Sequence, residues 1–456
     1  PFERLRYLSA WEAVERLGAG AVTSVDLVDS CAAAVRDANP TVNALVLSDF
    51  DRARRIARER DRERREGRVR GPLHGIPYSI KESFDVAGWP TTCGDPAHRA
   101  AAVDRDATVV HRLAEAGAIL VGKTNVPLHL RDWQSYNAVY GTTRNPRDPA
   151  RTPGGSSGGS AAAVCTGMAF FDVGSDIGSS LRNPAHYCGV FAHKSSHGLV
   201  SLRGHGVYRL DLPPSARRRL ADFRVAVLPT HPFAEVDAAV SAPIEALGRR
   251  LEREGVAVSW QARPDIDAAA LWRTYVLMLR AATSTHMPDA AFDAARRLAA
   301  AAAADDLSYA ALQHAGATLH HREWLRLQTA RQGFAAAWDS FFDGVDLLLC
   351  PAAATAAFPL DEEGEPWQRT LLVNGRPQPL TTQLFWAGHS GLCGLPSTVV
   401  PIGQDRPLPV GVQIVARRFH DRTALHFAGL LEGAGYAFVP PPAPAIRPQG
   451  RGPADS

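Results

Sequence analysis

Apolar and polar positions along the chain follow two different periods. Residues 8–18 and 23–38 carry apolar side chains at helical spacing, and Thr23 or Ser24 can cap the second of these segments. Residues 51–65 are charged almost throughout, with acidic and basic side chains interspersed. This mixture predicts a solvated surface helix and does not predict a basic arm for nucleic acid.

Short apolar runs bounded by turn residues predict strands elsewhere in the chain. The predicted strands are 75–81, 118–121, 223–228, 256–260, 347–349 and 410–415. The predicted helices between them are 108–116, 160–168, 234–254 and the alanine-rich stretch 267–340. Because strands and helices alternate over the whole chain, we expect an α/β layered fold. No internal repeat or Gly/Ser linker divides it, and the proline-rich tail 440–456 is expected to be loose.

The composition excludes several classes of protein. Of the 456 residues, 45% are hydrophobic and 21% are charged, and 50 Lys and Arg against 47 Asp and Glu leave a net charge of +3. This balance does not predict a nucleic-acid or acidic-membrane partner. Six cysteines without C-x-x-C pairs favour reduced thiols. Because the N-terminal segment is charged and no apolar run reaches about 20 residues, we expect a cytoplasmic protein without a membrane span.

A glycine- and serine-rich loop, residues 154–160, admits several interpretations. A phosphate loop needs a lysine after its last glycine, where Ser160 stands, and the spacing of a dinucleotide-binding fingerprint is absent. The loop does contain G-x-S-x-G, which would make Ser157 the nucleophile of a strand-to-helix elbow. Pro149 and Pro153 stand where the preceding strand should be, so the elbow is kept as an alternative.

A second serine-bearing cluster, residues 174–182, follows the predicted buried helix 160–168. The segment 154–171 carries no charged side chain, which argues against a flexible linker and for a buried site. Two serine-bearing turns on either side of one buried helix can converge in space. We therefore expect an active site where these two turns meet.

Several motifs together resemble the signature of the amidase signature family. They are IPYSIK at 76–81, GTTRNP at 141–146, the loop 154–160, DIGSSLR at 176–182, NPAHYCGV at 183–190 and LPVGVQ at 408–413. The resemblance covers most of residues 8–435, and the spacing of its three main parts is highly specific. It implies a single α/β/α domain around a mixed central sheet, over residues 1–439, and a hydrolase that uses no cofactor.

Carried over by position, the resemblance implies a Ser–cis-Ser–Lys triad. Ser180 would be the nucleophile, Ser156 a bridging serine on a cis peptide bond, and Lys81 the base. The oxyanion hole would consist of the backbone amides of Ile177, Gly178, Ser179 and Ser180. Asp176 and Arg182 flank the nucleophile and are expected to brace its loop by hydrogen bonds.

The chemistry expected of this triad depends on a neutral lysine. A serine hydroxyl needs a proton acceptor to become a good nucleophile, and a free lysine is protonated at neutral pH. Complete burial lowers a lysine pKa by up to about 3–5 units, and the loop near Lys81 is uncharged. Neutral Lys81 would then draw a proton from Ser156 and, through it, from Ser180.

Two departures from the family pattern affect the expected site. Ser179 stands where the family usually has glycine, so it fits only if its φ suits a residue with a Cβ. We therefore expect a narrowed oxyanion hole. The connector 204–222 is shorter than in the family, through a deletion or through an omitted segment, which leaves one wall of the substrate pocket open to question.

Some other residues invite a functional interpretation. Trp133, Tyr136 and Trp386 lie near the motif segments, where they either line an acyl pocket or pack in the core. His193 and His197 are spaced to share one helical face, but the residues between them supply no glutamate and no third ligand. We therefore expect no metal site.

The sequence as a whole predicts an amidase that cleaves a small carboxylic amide to an acid and an amine or ammonia through an acyl-enzyme. The lack of charged residues in 377–404 favours neutral or aromatic amides. Three alternatives stay open: a glutaminase-type subunit of an amidotransferase, a serine esterase that uses Ser157, and a catalytically silent scaffold of the same fold. No nucleic-acid or membrane partner is expected, and a homodimer is left open.

Overall fold

The computed structural model describes residues 5–200, 212–285, 287–403 and 406–442. Within these ranges the helices are α1 (Ala10–Gly18), α2 (Ser24–Val42), α3 (Phe50–Arg65), α4 (Thr108–Glu115), α5 (Gly158–Cys165), α6 (Arg182–Cys188), α7 (Ala238–Arg253), α8 (Ala268–Thr283), α9 (Asp289–Ala301), α10 (Tyr309–Ala317), α11 (His321–Gly344), α12 (Leu384–Gly391) and α13 (Asp421–Gly433). The strands are β1 (Leu45–Ser48), β2 (Pro77–Lys81), β3 (Ile119–Thr124), β4 (Tyr136–Asn137), β5 (Gly141–Thr142), β6 (Phe171–Val173), β7 (Ala192–Lys194), β8 (Arg224–Val227), β9 (Ala257–Ser259), β10 (Leu347–Pro351), β11 (Thr370–Val373), β12 (Arg376–Pro379), β13 (Ser397–Pro401) and β14 (Gly411–Ala416).

The first two helices begin at side chains that satisfy their free backbone amides. Ser9 accepts from the backbone of Glu12, whose carboxylate accepts in turn from the backbone of Ser9. Thr23 and Asp26 form the same reciprocal pair at the start of α2, so Thr23 is the cap. This helix ends at Asn43, which adopts the left-handed conformation with a φ of 53°.

Hydrogen bonding divides the main strands between two mixed sheets. One has the order β1-β3-β2-β6, with β2 parallel to both of its neighbours and β1 antiparallel to β3. The other has the order β7-β13-β14-β10-β8-β9, in which β10, β8 and β9 are parallel and the remaining pairs are antiparallel. Two short ribbons pair β4 with β5 and β11 with β12. The mixed α/β fold expected from the sequence is confirmed.

Strand β2 presents polar side chains to one face of its sheet. Ser79 and Lys81 share this face because side chains alternate along a strand. The register places Asp172 of β6 opposite Ser79, and Thr124 of β3 opposite Lys81. Ile80 points to the other face, which belongs to an apolar cluster. The polar face is therefore the one on which Lys81 can meet the serine loops.

Helix α5 covers this polar face. Ser160 on the helix lies 3.0 Å from Thr124, oxygen to oxygen. A Cβ on Gly159 would lie 2.3 Å from the backbone N of Asn125, so the helix can approach the sheet this closely only with glycine at that position. Because α5 starts directly after the first serine loop, this contact fixes that loop above Lys81.

A large apolar cluster lies around the six-stranded sheet. Val225, Leu348 and Ile414 are fully buried members on β8, β10 and β14, and they belong to one cluster with side chains of α7, α8, α12 and α13. Strand β10 lies inside this sheet, between β14 and β8. Ala352, directly after the end of β10, accepts a hydrogen bond from Ser179, so the turn 174–182 lies against the end of a buried strand.

Some elements were not predicted from the pattern of residues. Helices α6 and α12 and strand β13 are buried on nearly all sides, so their sequences lack the alternation that marks a half-exposed element. Helix α13 was also missed, and the stretch 267–340 divides into several helices. Residues 204–211 of the connector and residues 443–456 of the proline-rich tail lie outside the described residues. The single domain over 1–439 stays a prediction.

Candidate active site

The side chain of Lys81, at the end of β2, reaches the first serine loop. Its Nζ donates to Ser156 Oγ at 2.7 Å and to Ser175 Oγ at 2.9 Å. The peptide bond between Gly155 and Ser156 is cis, as the resemblance implied. The structure thus brings the expected base and the expected bridging serine into direct contact.

The glycines of this loop let it lie against neighbouring backbone. A Cβ on Gly155 would lie 2.4 Å from the carbonyl oxygen of Asp132, so a larger residue would have to displace the chain. Ser135 Oγ donates to Gly154 O at 3.0 Å and accepts from Gly158 N at 3.1 Å. The segment before β4 therefore supports the loop that presents Ser156.

Burial lowers the pKa of Lys81 from its usual 10.5 to about 7. Asp176 and Asp172 act in the opposite direction, but both carboxylates are bonded to other groups. Asp176 pairs with Arg182 at 2.9 Å, and Asp172 accepts from Ser79 Oγ at 2.6 Å. A substantial fraction of Lys81 is consequently neutral at neutral pH, and a neutral Nζ can accept a proton.

Ser180 lies on the loop between β6 and α6, beside the cis peptide bond. Its carbonyl accepts from Ser157 N at 3.1 Å. Asn183 Nδ2 donates to Gly155 O at 2.6 Å and to Ser179 O at 2.7 Å, so one amide side chain joins the two serine loops. Within the described residues the Ser180 hydroxyl makes no hydrogen bond. A contact between Ser180 and Ser156 is therefore proposed and not observed.

Asp176 holds the loop that carries Ser180, and residues 176–180 are called the oxyanion loop here. Asp176 Oδ1 accepts from Ser179 N at 2.9 Å, Oδ2 accepts from Leu181 N at 3.1 Å, and both oxygens accept from Arg182. Burial acts to raise the pKa of Asp176, but the charge and hydrogen bonds of Arg182, together with Lys194 and the Leu181 N–H, lower it to about 2. The ionised carboxylate anchors the loop, which confirms the bracing expected of this pair.

These contacts correct the expected oxyanion hole. The N–H of Ser179 donates to Asp176 and is therefore not free to meet a substrate oxygen. The N–H groups of Ile177, Gly178 and Ser180 form no hydrogen bond within the ranges that the structure describes. At most three of the four amides expected to form the hole are therefore open to a substrate oxygen.

Ser179 adopts a φ of 70°, in the left-handed region that favours glycine. Its Oγ donates to Ala352 O, after the end of β10, at 3.4 Å. We expected Ser179 to fit only if its φ suited a residue with a Cβ, and its φ does not. A left-handed conformation costs a residue with a Cβ about 1–2 kcal/mol, so this serine is held in place by the surrounding contacts.

The three aromatic residues expected near the substrate lie in different environments. Trp133 is 9% exposed, and its Nε1 donates to Gly178 O at 2.8 Å, so it contacts the oxyanion loop. Tyr136 is partly exposed, and its hydroxyl accepts from Arg369 at 2.8 Å. Trp386 is fully buried in the apolar core around the six-stranded sheet. Core packing is therefore the interpretation that fits Trp386.

Among the residues that the structure describes, Ser157 has no partner suited to a nucleophile elbow. Its Oγ donates to Ser175 O at 3.2 Å, and the fully described residues 143–157 before it contain no strand. His193 lies on β7 and not on a helix, with Nε2 at 3.1 Å from Asp421, so the helical pair with His197 does not form.

The described part of the chain holds neither a metal-binding cluster nor a membrane-spanning helix. No group of three or more His, Cys, Asp or Glu side chains there is arranged to hold a metal ion. No helix in the same ranges combines the length and apolar character needed to cross a bilayer.

Sequence reasoning did not assign a role to three side chains of the site. Ser175 gives Lys81 a second hydroxyl partner, Asn183 joins the serine loops, and Tyr275 of α8 donates to Ile177 O at 3.2 Å. The first two lie in or beside the recognised motifs, where each polar residue could have been considered. Tyr275 lies in the alanine-rich stretch, and no pattern there marked it as part of the site.

Comparison with known proteins agrees with this geometry. The family model described as Amidase matches residues 26–212 and 207–425. The chain belongs to the amidase signature family. The recognition based on the motifs is therefore confirmed, and with it the class of the protein as a hydrolase of this family.

Curated amidase signature proteins match this chain over most of their length. The indoleacetamide hydrolase of Bradyrhizobium diazoefficiens is 30% identical over 470 residues, which cover 92% of this chain and 86% of that protein. A glutamyl-tRNA(Gln) amidotransferase subunit from Chloroflexus aurantiacus is 31% identical over 475 residues, covering 92% and 95%. A solved amidase structure superposes with a TM-score of 0.75 at 26% identity and covers 94% of this chain and 100% of that one.

Proposed function

We propose that this chain cleaves a carboxylic amide through an acyl-enzyme on Ser180, with Lys81 as a base that acts through Ser156. The observation that carries the proposal is the hydrogen bond of 2.7 Å between Lys81 Nζ and Ser156 Oγ, in a region where both side chains are buried. A buried lysine that is bonded to hydroxyl oxygens, and whose charge is disfavoured, is suited to accept a proton.

In the first half of the proposed reaction, neutral Lys81 accepts the proton of Ser156 while Ser156 accepts that of Ser180. Ser180 Oγ then attacks the amide carbon, and the carbonyl oxygen becomes an oxyanion. The free N–H groups of Ile177, Gly178 and Ser180 are its donors. In comparable sites the loss of one such donor raises the barrier by about 3–4 kcal/mol.

The second half returns every proton to its starting place. Protonated Lys81 gives its proton through Ser156 to the leaving nitrogen, so the amine or ammonia departs and Ser180 is left as an ester. A water molecule then loses a proton to Lys81 through Ser156 and attacks the ester carbon. The bond between that carbon and Ser180 Oγ breaks, the acid is released, and Lys81 returns the proton through Ser156 to Ser180 Oγ. Lys81 and both serines end the cycle in their original states.

A neutral acyl group with an apolar or aromatic body suits the surroundings of the site. Ile177, within the oxyanion loop, is 56% exposed, and Trp133 contacts the same loop. Nearby, Asp132 neutralises Arg369 in a buried ion pair of 2.6 Å, so this charge is not available to bind a substrate carboxylate. The 30% identity with an indoleacetamide hydrolase also supports an aromatic acyl group.

Hydrolysis of a panel of amides tests the substrate class. Indole-3-acetamide, phenylacetamide, acetamide and glutamine are compared by the release of ammonia, with Ser180→Ala as the inactive control. We expect the two aryl amides to have the highest kcat/KM. A preference for the charged amide would contradict the substrate class, and full activity of Ser180→Ala would contradict the nucleophile.

Covalent labelling identifies the nucleophile directly. A fluorophosphonate forms a stable adduct with an activated serine, and peptide mapping locates it. We expect the adduct on Ser180. An adduct on Ser157 would support the elbow, whereas no adduct together with no turnover on any amide would support a silent scaffold.

A second candidate is a glutaminase that passes ammonia to a partner chain. It is favoured by the 31% identity with the glutamyl-tRNA(Gln) amidotransferase subunit from Chloroflexus aurantiacus, of which 95% is covered. Such a glutaminase should prefer glutamine and should need its partners for full activity. Rapid cleavage of aryl amides by the isolated chain would therefore count against this candidate.

A further inference from the structure

Three consecutive carbonyl groups of the oxyanion loop each accept a hydrogen bond from a different side chain. The bonds are Tyr275 OH to Ile177 O at 3.2 Å, Trp133 Nε1 to Gly178 O at 2.8 Å, and Asn183 Nδ2 to Ser179 O at 2.7 Å. The N–H groups of the loop gain no partner from these bonds, because carbonyl oxygens accept all three. The effect of the bonds is to fix the orientation of each peptide plane.

The orientation of a peptide plane determines where its N–H points. In a trans peptide the C=O and the N–H of the following residue point in opposite directions. Asn183 therefore fixes the N–H of Ser180, which shares a peptide bond with the carbonyl that Asn183 holds. Tyr275 fixes the N–H of Gly178 in the same way, because Ile177 O and Gly178 N belong to one peptide.

We propose that Tyr275 is a positioning residue whose hydroxyl keeps the Gly178 N–H directed at the oxyanion of the reaction. The proposal rests on the function proposed above for Ser180. Tyr275 acts through the peptide between Ile177 and Gly178 and not on the substrate itself. Glycine restricts its backbone little, so this peptide can rotate when the phenol oxygen is removed.

Packing between α8 and α12 holds the phenol ring in position. Tyr275 is 4% exposed, and a Cβ on Gly388 would lie 2.7 Å from the ring. Glycine at this position of α12 therefore makes room for the ring. Burial raises the pKa of Tyr275, so its hydroxyl keeps its proton and remains a donor throughout the range in which the enzyme is assayed.

The first test is Tyr275→Phe in the full chain, which removes one oxygen and keeps the ring. We expect kcat for an aryl amide, and the rate of fluorophosphonate labelling of Ser180, to fall about 10- to 100-fold, below the loss seen when a whole oxyanion donor is deleted. KM and the pH midpoint of the rate should stay unchanged, because neither the substrate contacts nor the base is altered.

Tyr309→Phe is the matched control. The Tyr309 ring lies 6.4 Å from Trp272, so this tyrosine also packs against α8. No hydrogen bond within the described ranges joins it to the oxyanion loop. We expect the control variant to retain wild-type rates. Wild-type kcat and labelling in folded Tyr275→Phe would overturn the proposal, as would equal losses in both variants or a change confined to KM.

Gly388→Ala provides a second variant that leaves the hydroxyl in place. Its new methyl group displaces the ring of Tyr275 and should also slow the labelling of Ser180. If both substitutions act through one peptide, the double variant should be no slower than the slower single variant. Multiplicative losses would overturn the proposal. Thermal melting verifies that each variant is folded.

Failure of this proposal is distinguishable from failure of the proposed function. If the wild-type chain is not labelled at Ser180, the assignment of the nucleophile is wrong, whatever Tyr275→Phe does. If the wild-type chain is labelled and Tyr275→Phe is labelled at the same rate, only the positioning role is wrong.

Discussion

Burial is accompanied by opposite charge states on the two sides of the site. On the base side, Lys81 is bonded to the hydroxyls of Ser156 and Ser175, and burial lowers its pKa to about 7. On the oxyanion side Asp176 is also fully buried, yet its pairing with Arg182 lowers its pKa to about 2 and keeps it charged. Burial favours the neutral form of a group unless an opposite charge is in contact. The two sides differ because Asp176 is in contact with the opposite charge of Arg182, whereas Lys81 is bonded to neutral hydroxyls.

Each charge state fits the role proposed for its side. In the proposed reaction Lys81 must give up its charge to accept a proton, whereas Asp176 must stay ionised to hold the amides of the oxyanion loop. Substitutions on the base side should therefore reduce the rate and spare stability. Substitutions on the oxyanion side should affect both.

Removal of the base should have the largest effect. Lys81→Met keeps the apolar stem and removes Nζ, and we expect kcat/KM to fall about 10⁴-fold or more, as when a triad member is deleted. Because burial of an amine is unfavourable, the folded variant should be at least as stable as the wild type. Amide hydrolysis and urea unfolding measure the two effects.

Lys123→Met is the control for Lys81→Met. Lys123 is also fully buried, burial lowers its pKa to about 8, and it lies on the neighbouring strand β3. Its register opposite Ile80 directs it to the other face of the sheet, where it donates to Pro90 O at 2.6 Å. Its turnover per folded molecule should stay close to wild type. Equal loss in both variants would mean that Lys81 is needed for packing and not as a base.

On the oxyanion side, Asp176→Asn should lower both stability and rate. The substitution leaves the fully buried Arg182 without its counter-ion, which typically costs about 3–5 kcal/mol. Asp148→Asn breaks the more exposed pair with Arg151 and should cost less than about 1 kcal/mol. Urea unfolding and the labelling rate of Ser180 compare them. A fully stable Asp176→Asn would show that the buried ion pair does not hold the loop.

The dependence of the rate on pH separates the two sides without any substitution. Only neutral Lys81 accepts a proton, and its pKa is about 7. We therefore expect kcat/KM to rise about tenfold per pH unit below this value and to level off above it. Asp176, with a pKa of about 2, stays ionised and should add no second transition. A flat profile from mildly acidic to alkaline pH would contradict the role of Lys81.

More of the expected base side than of the expected oxyanion side is seen in the structure. The motifs named Lys81 and Ser156, which are in direct contact, whereas the catalytic roles of Lys81, Ser156 and Ser180 stay predictions. The direction of the Ser179 N–H could not be predicted from the motifs, because it depends on a tertiary contact with Asp176. A helical pattern can likewise mark a tyrosine on α8 as buried, but it does not indicate which carbonyl that tyrosine meets.

The prediction of helices and strands from the sequence was limited in a similar way. Segments with one buried and one exposed side, such as α1 and α2, carry a visible period and were predicted. The segments of α6 and β13 are buried on every side. A period arises only from a difference between two faces, so these elements left none to detect.

Substitution of Ser179 should have the smallest effect on the free energy of unfolding. It also tests the backbone of the oxyanion loop most directly. The φ of 70° at Ser179 costs a residue with a Cβ about 1–2 kcal/mol. Glycine avoids this cost but loses about 0.5–1 kcal/mol more in backbone entropy on folding. Ser179→Gly should therefore stabilise the chain by up to about 1.5 kcal/mol in urea unfolding, since the difference between these two terms is about 0–1.5 kcal/mol.

Ser179→Ala separates the backbone from the hydroxyl in this comparison. It keeps the Cβ and removes only the bond of 3.4 Å to Ala352 O, so it should not stabilise the chain. Labelling of Ser180 should be nearly unchanged in both variants, because the Ser179 N–H is already taken by Asp176. If Ser179→Gly is instead the less stable of the two, the left-handed backbone carries no net cost here. The oxyanion loop would then owe its shape to backbone restriction at Ser179 as well as to the partners that hold its carbonyls.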